Sequence, residues 1–310
     1  MIYAMLSLWI ISAIMVVRAS KIVQIIIYLG IFSALCAVCF MMFGAPDVAM
    51  AEAAVSSFST IFLIICFEKY FSLVKHETEE SKKNKLALTL KSHVLPLCFT
   101  LFLIALFVLS IPDIAVNTNV KDKYLEGFMD VVGGENAVTA IYLGYRMYDT
   151  LFEALMLLVS VVGVAHMSWY CYTETTDKQI SGVSKSDKVA VYTIRLVCPA
   201  MLLFGIYIIL NGHLTPGGGF QGGVALAAFF ICRYLIYNIS DIRFGTIMVM
   251  EKLTYAGIII LAALFITQGL HAHFPEMRSA YLMLMNTLLG MKVAFGFTII
   301  LYRYVAFERM

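Results

Sequence analysis

Charge is what this chain of 310 residues has little of. Only 14% of its residues are Asp, Glu, Lys or Arg and 61% are hydrophobic, where a soluble domain averages about 25% charged and 45–50% apolar. That excludes a disordered chain. With 22 Lys and Arg against 20 Asp and Glu, no basic excess exists to hold a nucleic acid. A disulfide framework is missing too. The seven cysteines, Cys36, Cys39, Cys66, Cys98, Cys171, Cys198 and Cys232, are odd in number and lie almost entirely in apolar stretches, unlike those of a secreted scaffold. Cys36 and Cys39 form a C-x-x-C with no second pair, so they read as packing residues; iron–sulfur ligation needs a fuller set. No cofactor signature is present. The expectation is a chain without catalytic chemistry, cofactor or metal of its own.

What is present is long apolar runs. Mean hydropathy is +0.88, and a bilayer core takes about 20 mostly apolar residues per helix. Nine stretches qualify: Ile2–Val17, Ile22–Phe43, Val48–Phe67, Val94–Ile111, Thr150–Tyr172, Val189–Leu210, Phe220–Ile239, Leu253–Gly269 and Asn286–Tyr302. The first lacks a basic leader and a small-residue cleavage site, so it reads as a helix and not a signal peptide. Most of the 22 Lys and Arg fall on one set of alternate loops, while Lys121, Lys123, Arg146 and Arg278 fall on the other. The positive-inside rule then predicts an all-α polytopic membrane bundle of about nine helices, N-terminus outside and C-terminus cytoplasmic. Two polar runs divide it. The expected units are 1–74 with three helices, a cytoplasmic linker at 75–92, 93–173 with two helices and a long outside loop from Pro112 to Asp149, a second linker at 174–188, and 189–310 with four helices.

Ionisable groups inside apolar spans are costly, which makes them functional candidates. In GAPDVAMAEAAV, Gly44 and Pro46 break the chain, and Asp47 can either cap the next helix or serve a site. Glu52 lies at least a turn inside the span, as an ion or proton carrier would. In YLGYRMYDTLFEALM, Asp149 and Glu153 share a helical face at i,i+4 spacing. Arg146 stands a turn before Asp149 and can pair with it, and Tyr142, Tyr145 and Tyr148 suit an interfacial belt. In LNGHLTPGGGFQGGVALAAFF, Pro216, Gly217, Gly218, Gly219, Gly222 and Gly223 predict a tight non-helical turn. His213 is its one titratable group and can relay a proton. No G-K-[ST] follows, so this is not a phosphate-binding loop. Lys292, in mid-span, requires an acidic partner, a wet path or room to snorkel. Glu251 and Lys252 read as a solvated cap, and His271, His273 and Glu276 as a surface loop.

Those motifs carry a resemblance. GAPDVAMAEAAV resembles the unit that forms the C-terminal part of the large Mrp antiporter subunit and occurs separately as the D-type small subunit of membrane-bound hydrogenases. NAVTAIYLGYRMYDTLFEALMLLVSVVGV looks like the next, E-type unit of that series. LLFGIYIILNGHLTPGGGFQGGVALAAFF is similar to the MnhB-type subunit of Mrp Na+/H+ antiporters. Ser56 stands where the first pattern often has glycine. The resemblance implies a fused subunit of the complex I superfamily, in a multi-pass prokaryotic plasma-membrane assembly. Its implied partners are a large antiporter-like subunit, small subunits of the C, E, F and G kinds, membrane lipid and a hydrogenase-type redox arm. Na+ and H+ are the implied cargo, with Glu52 and Glu153 as carriers. Two other readings stand beside it: a scaffold that links antiporter and redox arms without carrying ions, and an autonomous transporter, against which the lack of an inverted repeat argues.

Overall fold

The computed structural model describes residues 2–71, 98–106, 109, 118–170, 188–236, 244–267 and 277–306, and every regular element among them is helical. In order these are α1 (Ile2–Arg18), α2 (Ile22–Met42), α3 (Pro46–Phe71), α4 (98–106) and α5 (Thr118–Gly127). Then come a π-helical turn (Phe128–Val132), α6 (Ala137–Ala140), a second π-helical turn (Ile141–Tyr145), α7 (Met147–Tyr170), α8 (Lys188–Asn211), α9 (Gly219–Ile236), α10 (Phe244–Ile266) and α11 (Met277–Ala306). Six of the described helices, α2, α3, α7, α8, α10 and α11, are long and apolar enough to cross a bilayer; α1 and α9 are apolar but shorter. The expected span Val94–Ile111 is described mainly at 98–106. The polar runs 75–92 and 174–187, Cys171, His271, His273 and Glu276 lie outside the described residues.

Local chemistry sets the helix ends. α2 stops at Phe43 because Gly44 adopts φ +75°, and the Ala45 and Gly44 amides donate back to the Phe40 and Met41 carbonyls at 3.0 and 3.1 Å. This paired pattern closes a helix by satisfying its last carbonyls. Pro46 then opens α3 at the one place where a missing N–H costs nothing. α2 and α3 thus form a tight hairpin, with Asp47 in the first turn of α3.

Two expectations are corrected. The stretch between Pro112 and Asp149 is not a plain loop. From Thr118 it coils into α5, α6 and the π-helical turns, with Asn136 capping α6 by accepting from Val138 N and Thr139 N. The glycine motif is non-helical only at 212–218, and Gly219, Gly222 and Gly223 belong to α9. Glycine does not break the helix there because it serves packing: a Cβ at Gly223 would lie 2.6 Å from the Gly290 carbonyl oxygen of α11.

α11 is the axis of the bundle. It packs against α3, α7, α8, α9 and α10. One apolar cluster joins Leu143 and Met147 to Ile258 and Ala262 of α10 and Leu282 and Met285 of α11. Another joins Phe58 of α3 to Val224 and Ile231 of α9 and Val293 and Leu301 of α11. Lipid removes the hydrophobic drive between helices, so close packing and buried hydrogen bonds hold such an arrangement.

Candidate functional site

The Asp47 carboxylate meets the glycine-rich turn. Its Oδ1 accepts from the Gly217 amide at 2.8 Å and from Asn136 Nδ2 at 3.0 Å. Asn136 Nδ2 also points at the carbonyls of Gly212 (3.1 Å) and Thr215 (3.0 Å), and the Asn136 amide donates to the His213 carbonyl at 3.0 Å. Thr139 Oγ1 donates to the Gly212 carbonyl at 2.6 Å. Asp47, Asn136, Thr139 and His213 are all buried. Asp47, in the first turn of α3, thus reaches beyond its own helix. It ties α3 to the turn between α8 and α9, with Asn136 as the connecting piece. Gly217 sits at φ +140°, backbone that disfavours any side chain. Pro216 is exposed in the same turn. The His213 ring is buried, and its Nδ1 has no hydrogen-bond partner among the described residues.

A second buried polar contact lies beside the first. Asn286 of α11 accepts on Oδ1 from Tyr142 Oη (2.7 Å) and from the Gly219 amide (3.0 Å) at the start of α9. Burial pushes the Tyr142 phenol up from its ordinary range, which keeps it a neutral donor. Of the expected aromatic belt, only Tyr148 is exposed; Tyr142 bonds Asn286, and Tyr145 lies against the Tyr124 ring.

Lys292 has its acid. It forms an ion pair with Glu251 of α10, with both side chains within 1% of full burial. The Lys292 Nζ also stands 5.2 Å from the centre of the Tyr255 ring. This corrects the expectation of a solvated Glu251–Lys252 cap. α10 begins at Phe244, so Glu251 lies about two turns inside it. Lys252, one residue on and on another face, is exposed.

The remaining candidates stand apart. Glu52 is half-buried on α3 and makes no ion pair among the described residues. Ser56, a turn later, donates to the Ala53 carbonyl at 3.3 Å. Both Ser56 and Ala53 line an apolar groove of about 700 Å³ between α2 and α3. Arg146 and Asp149 form an ion pair as the spacing suggests, with both side chains exposed. Glu153 is exposed on α7. The structure thus brings Asp47, His213 and Gly217 together and leaves Glu52, Glu153 and Lys292 at separate places. Asn136, Asn286 and Glu251 were not among the sequence candidates. For Asn136 a signal exists: an Asn just ahead of an apolar run is a helix-start pattern.

Residues 189–307 match the family described as a domain related to the MnhB subunit of Na+/H+ antiporter, and residues 7–71 match the MbhD family of MBH subunits. The chain thus carries, in one polypeptide, a segment that matches the MbhD family and a segment that matches the MnhB-related family of Mrp-type antiporters. It is a multi-pass membrane protein. It is 30% identical over 187 residues to Na(+)/H(+) antiporter subunit A1 of Staphylococcus haemolyticus, a match covering 60% of this chain and 22% of that protein. Across the first relatives it spans 20% to 60% of their length. The fold is shared with the Mrp complex from Dietzia sp., at TM-score 0.77 and 16% identity over 99% of this chain and 35% of that one. A chain of an archaeal membrane-bound sulfane sulfur reductase matches at TM-score 0.54 and 29% identity, over 68% of this chain and 97% of its own length.

Proposed function

We propose that this Mrp-type chain is a non-catalytic membrane subunit of a multisubunit cation/proton antiporter assembly and contributes to coupled H+ and Na+ movement. The observation that carries the reading is the buried joint in which Asp47, within the MbhD match, holds the glycine turn of the MnhB-related match. The two units form one body and not two tethered ones. In this reading the chain divides into 1–74, a linker at 75–92, an E-type unit at 93–173, a linker at 174–188, and 189–310. Glu52 and Glu153 carry ions. Glu153, exposed on α7 of the isolated chain, faces a partner, because a bare carboxylate against lipid is costly. The partners are a large antiporter-like subunit and small subunits of the C, E, F and G kinds. The likeness to an archaeal respiratory complex supports a redox arm in the same assembly.

The test is co-purification followed by transport. A tagged chain drawn from native membranes in mild detergent brings antiporter-like subunits with it. An iron–sulfur arm among them makes the host redox-driven. Glu52→Gln and Glu153→Gln then reduce coupled transport while the complex still assembles. A chain that emerges alone, or full transport in both variants, overturns the assignment. The scaffold reading draws on the engagement of the Asp47 carboxylate in holding helices together; loss of assembly in Glu52→Gln and Glu153→Gln would favour it.

A further inference from the structure

The ion pair between Glu251 and Lys292 is incompletely matched. A lysine ammonium has three donors and a carboxylate two oxygens. Among the described residues Lys292 Nζ bonds Glu251 Oε1 alone, and Glu251 Oε2 is buried with no hydrogen-bond partner. The remaining neighbour is the face of the Tyr255 ring, 5.2 Å from Nζ, which contributes attraction but no acceptor oxygen. A pair retained only to join α10 to α11 gains little over well-packed apolar side chains, and a half-satisfied network is worse than an apolar core. Helix joining is already supplied here: Ile258, Ala262, Leu282 and Met285 pack α10 on α11 without any charge. The free oxygen and unused N–H groups therefore call for another explanation.

We propose that Glu251 and Lys292 form a proton-loading site inside the MnhB-related unit, separate from the Asp47 joint and from Glu52 and Glu153. The ligand is a proton. Two states are related by one transfer along the existing hydrogen bond: an Nζ–H bond of Lys292 breaks, an O–H bond forms on Glu251, and the N–H electron pair stays on a neutral amine. A proton delivered by water then bonds to Oε2 of Glu251 while the Oε1–H bond breaks and that proton returns to the Lys292 amine, which leaves a carboxylic acid beside an ammonium and the pair with one positive charge. Its release completes the cycle. Oε2 is the open position through which that water connects. Among the described side chains of the helices packed against α11, Lys252 on α10, Arg233 on α9, Arg195 on α8 and Asp149, Glu153 and His166 on α7 are exposed, Glu52 on α3 is half-buried, and Asp47 on α3 is engaged by Gly217 and Asn136. Among the described residues, Tyr255 is a titratable group that faces the pair.

The proposal rests on the antiporter-module reading, so the experiment separates the two. The whole host complex is purified and reconstituted, and ion exchange is measured together with the infrared difference spectrum on a change of pH. The expected result is a carboxylic-acid signal that is lost in Glu251→Gln, displaced in Lys292→Met and unchanged in Glu153→Gln, with coupled exchange lost in the first two. Removing one partner strands a charge and can impair assembly, so Glu251→Gln with Lys292→Met is the decisive variant. It removes both charges at similar volume, and is expected to assemble and still not exchange. Exchange at the wild-type rate in that double variant, or a signal indifferent to Glu251→Gln, overturns the proton-loading site. Absence of exchange in the wild-type complex overturns the antiporter-module reading, and the infrared signal then judges the pair alone.

Discussion

The Asp47 carboxylate accepts the Gly217 amide proton at 2.8 Å, across 170 positions of sequence. It accepts a second donor from Asn136, which itself belongs to a third stretch of chain. Both donors are buried, and leaving a buried donor unpaired costs about 1–3 kcal/mol. Asp47→Ala should therefore lower the thermal midpoint of the purified chain in detergent, while Asp47→Asn, which keeps a carbonyl acceptor, should restore most of the loss. Equal midpoints for wild type and Asp47→Ala would show that the joint bears no load.

Gly223 answers a different question, that of distance between backbones. An added Cβ would stand 2.6 Å from the Gly290 carbonyl and 2.7 Å from Val293 Cβ, neither of which can swing away. Overpacking of this kind costs about 1–3 kcal/mol. Gly163 on α7 has nothing within 4 Å of such a Cβ. Gly223→Ala should destabilise the chain and Gly163→Ala should not, as read by thermal unfolding of the two proteins side by side.

The exposed pair Arg146–Asp149 contrasts with Glu251–Lys292. Its side chains are 64% and 59% accessible, and exposed pairs contribute about 0–1 kcal/mol. Arg146→Gln is expected to leave the thermal midpoint near that of wild type, at low salt and high salt alike. A clear loss would mean that a partner subunit buries the pair.

Much of this was legible in the sequence. Long apolar runs foretold the helices because a span must satisfy its own backbone, and the Gly44–Pro46 break foretold the α2–α3 hairpin. Lys292 announced its need for an acid, a wet path or room to snorkel. Glu251 did not announce that it was the acid. It neighbours the exposed Lys252, and the polar doublet hid the mostly apolar stretch from Phe244 to Met250 that precedes it in α10. Asn136 and Asn286 were missed for a related reason: a neutral amide raises no alarm in an apolar run, yet it satisfies backbone groups that only the tertiary fold brings near. The glycine motif was recognised but misread at its C-terminal half. Composition alone does not distinguish a glycine that turns the chain from one that lets two helices touch.

Tyr142 yields the prediction in which pH enters. Burial, first among the causes, pushes its phenol above the ordinary value of 10.0, so the folded protein holds this proton more tightly than the unfolded chain does. Stability from that difference is fully present below the unfolded value, about pH 10, and is lost as pH rises from there towards the folded value. Tyr142→Phe removes the phenol and its 2.7 Å bond to Asn286, which costs about 1 kcal/mol at neutral pH. Asn286 keeps the Gly219 amide as a donor, so α9 and α11 stay joined. Unfolding followed across the alkaline range should therefore show wild type above Tyr142→Phe at neutral pH and the gap narrowing beyond pH 10. A gap that stays constant or widens would mean that Tyr142 meets solvent and does not serve as a buried donor.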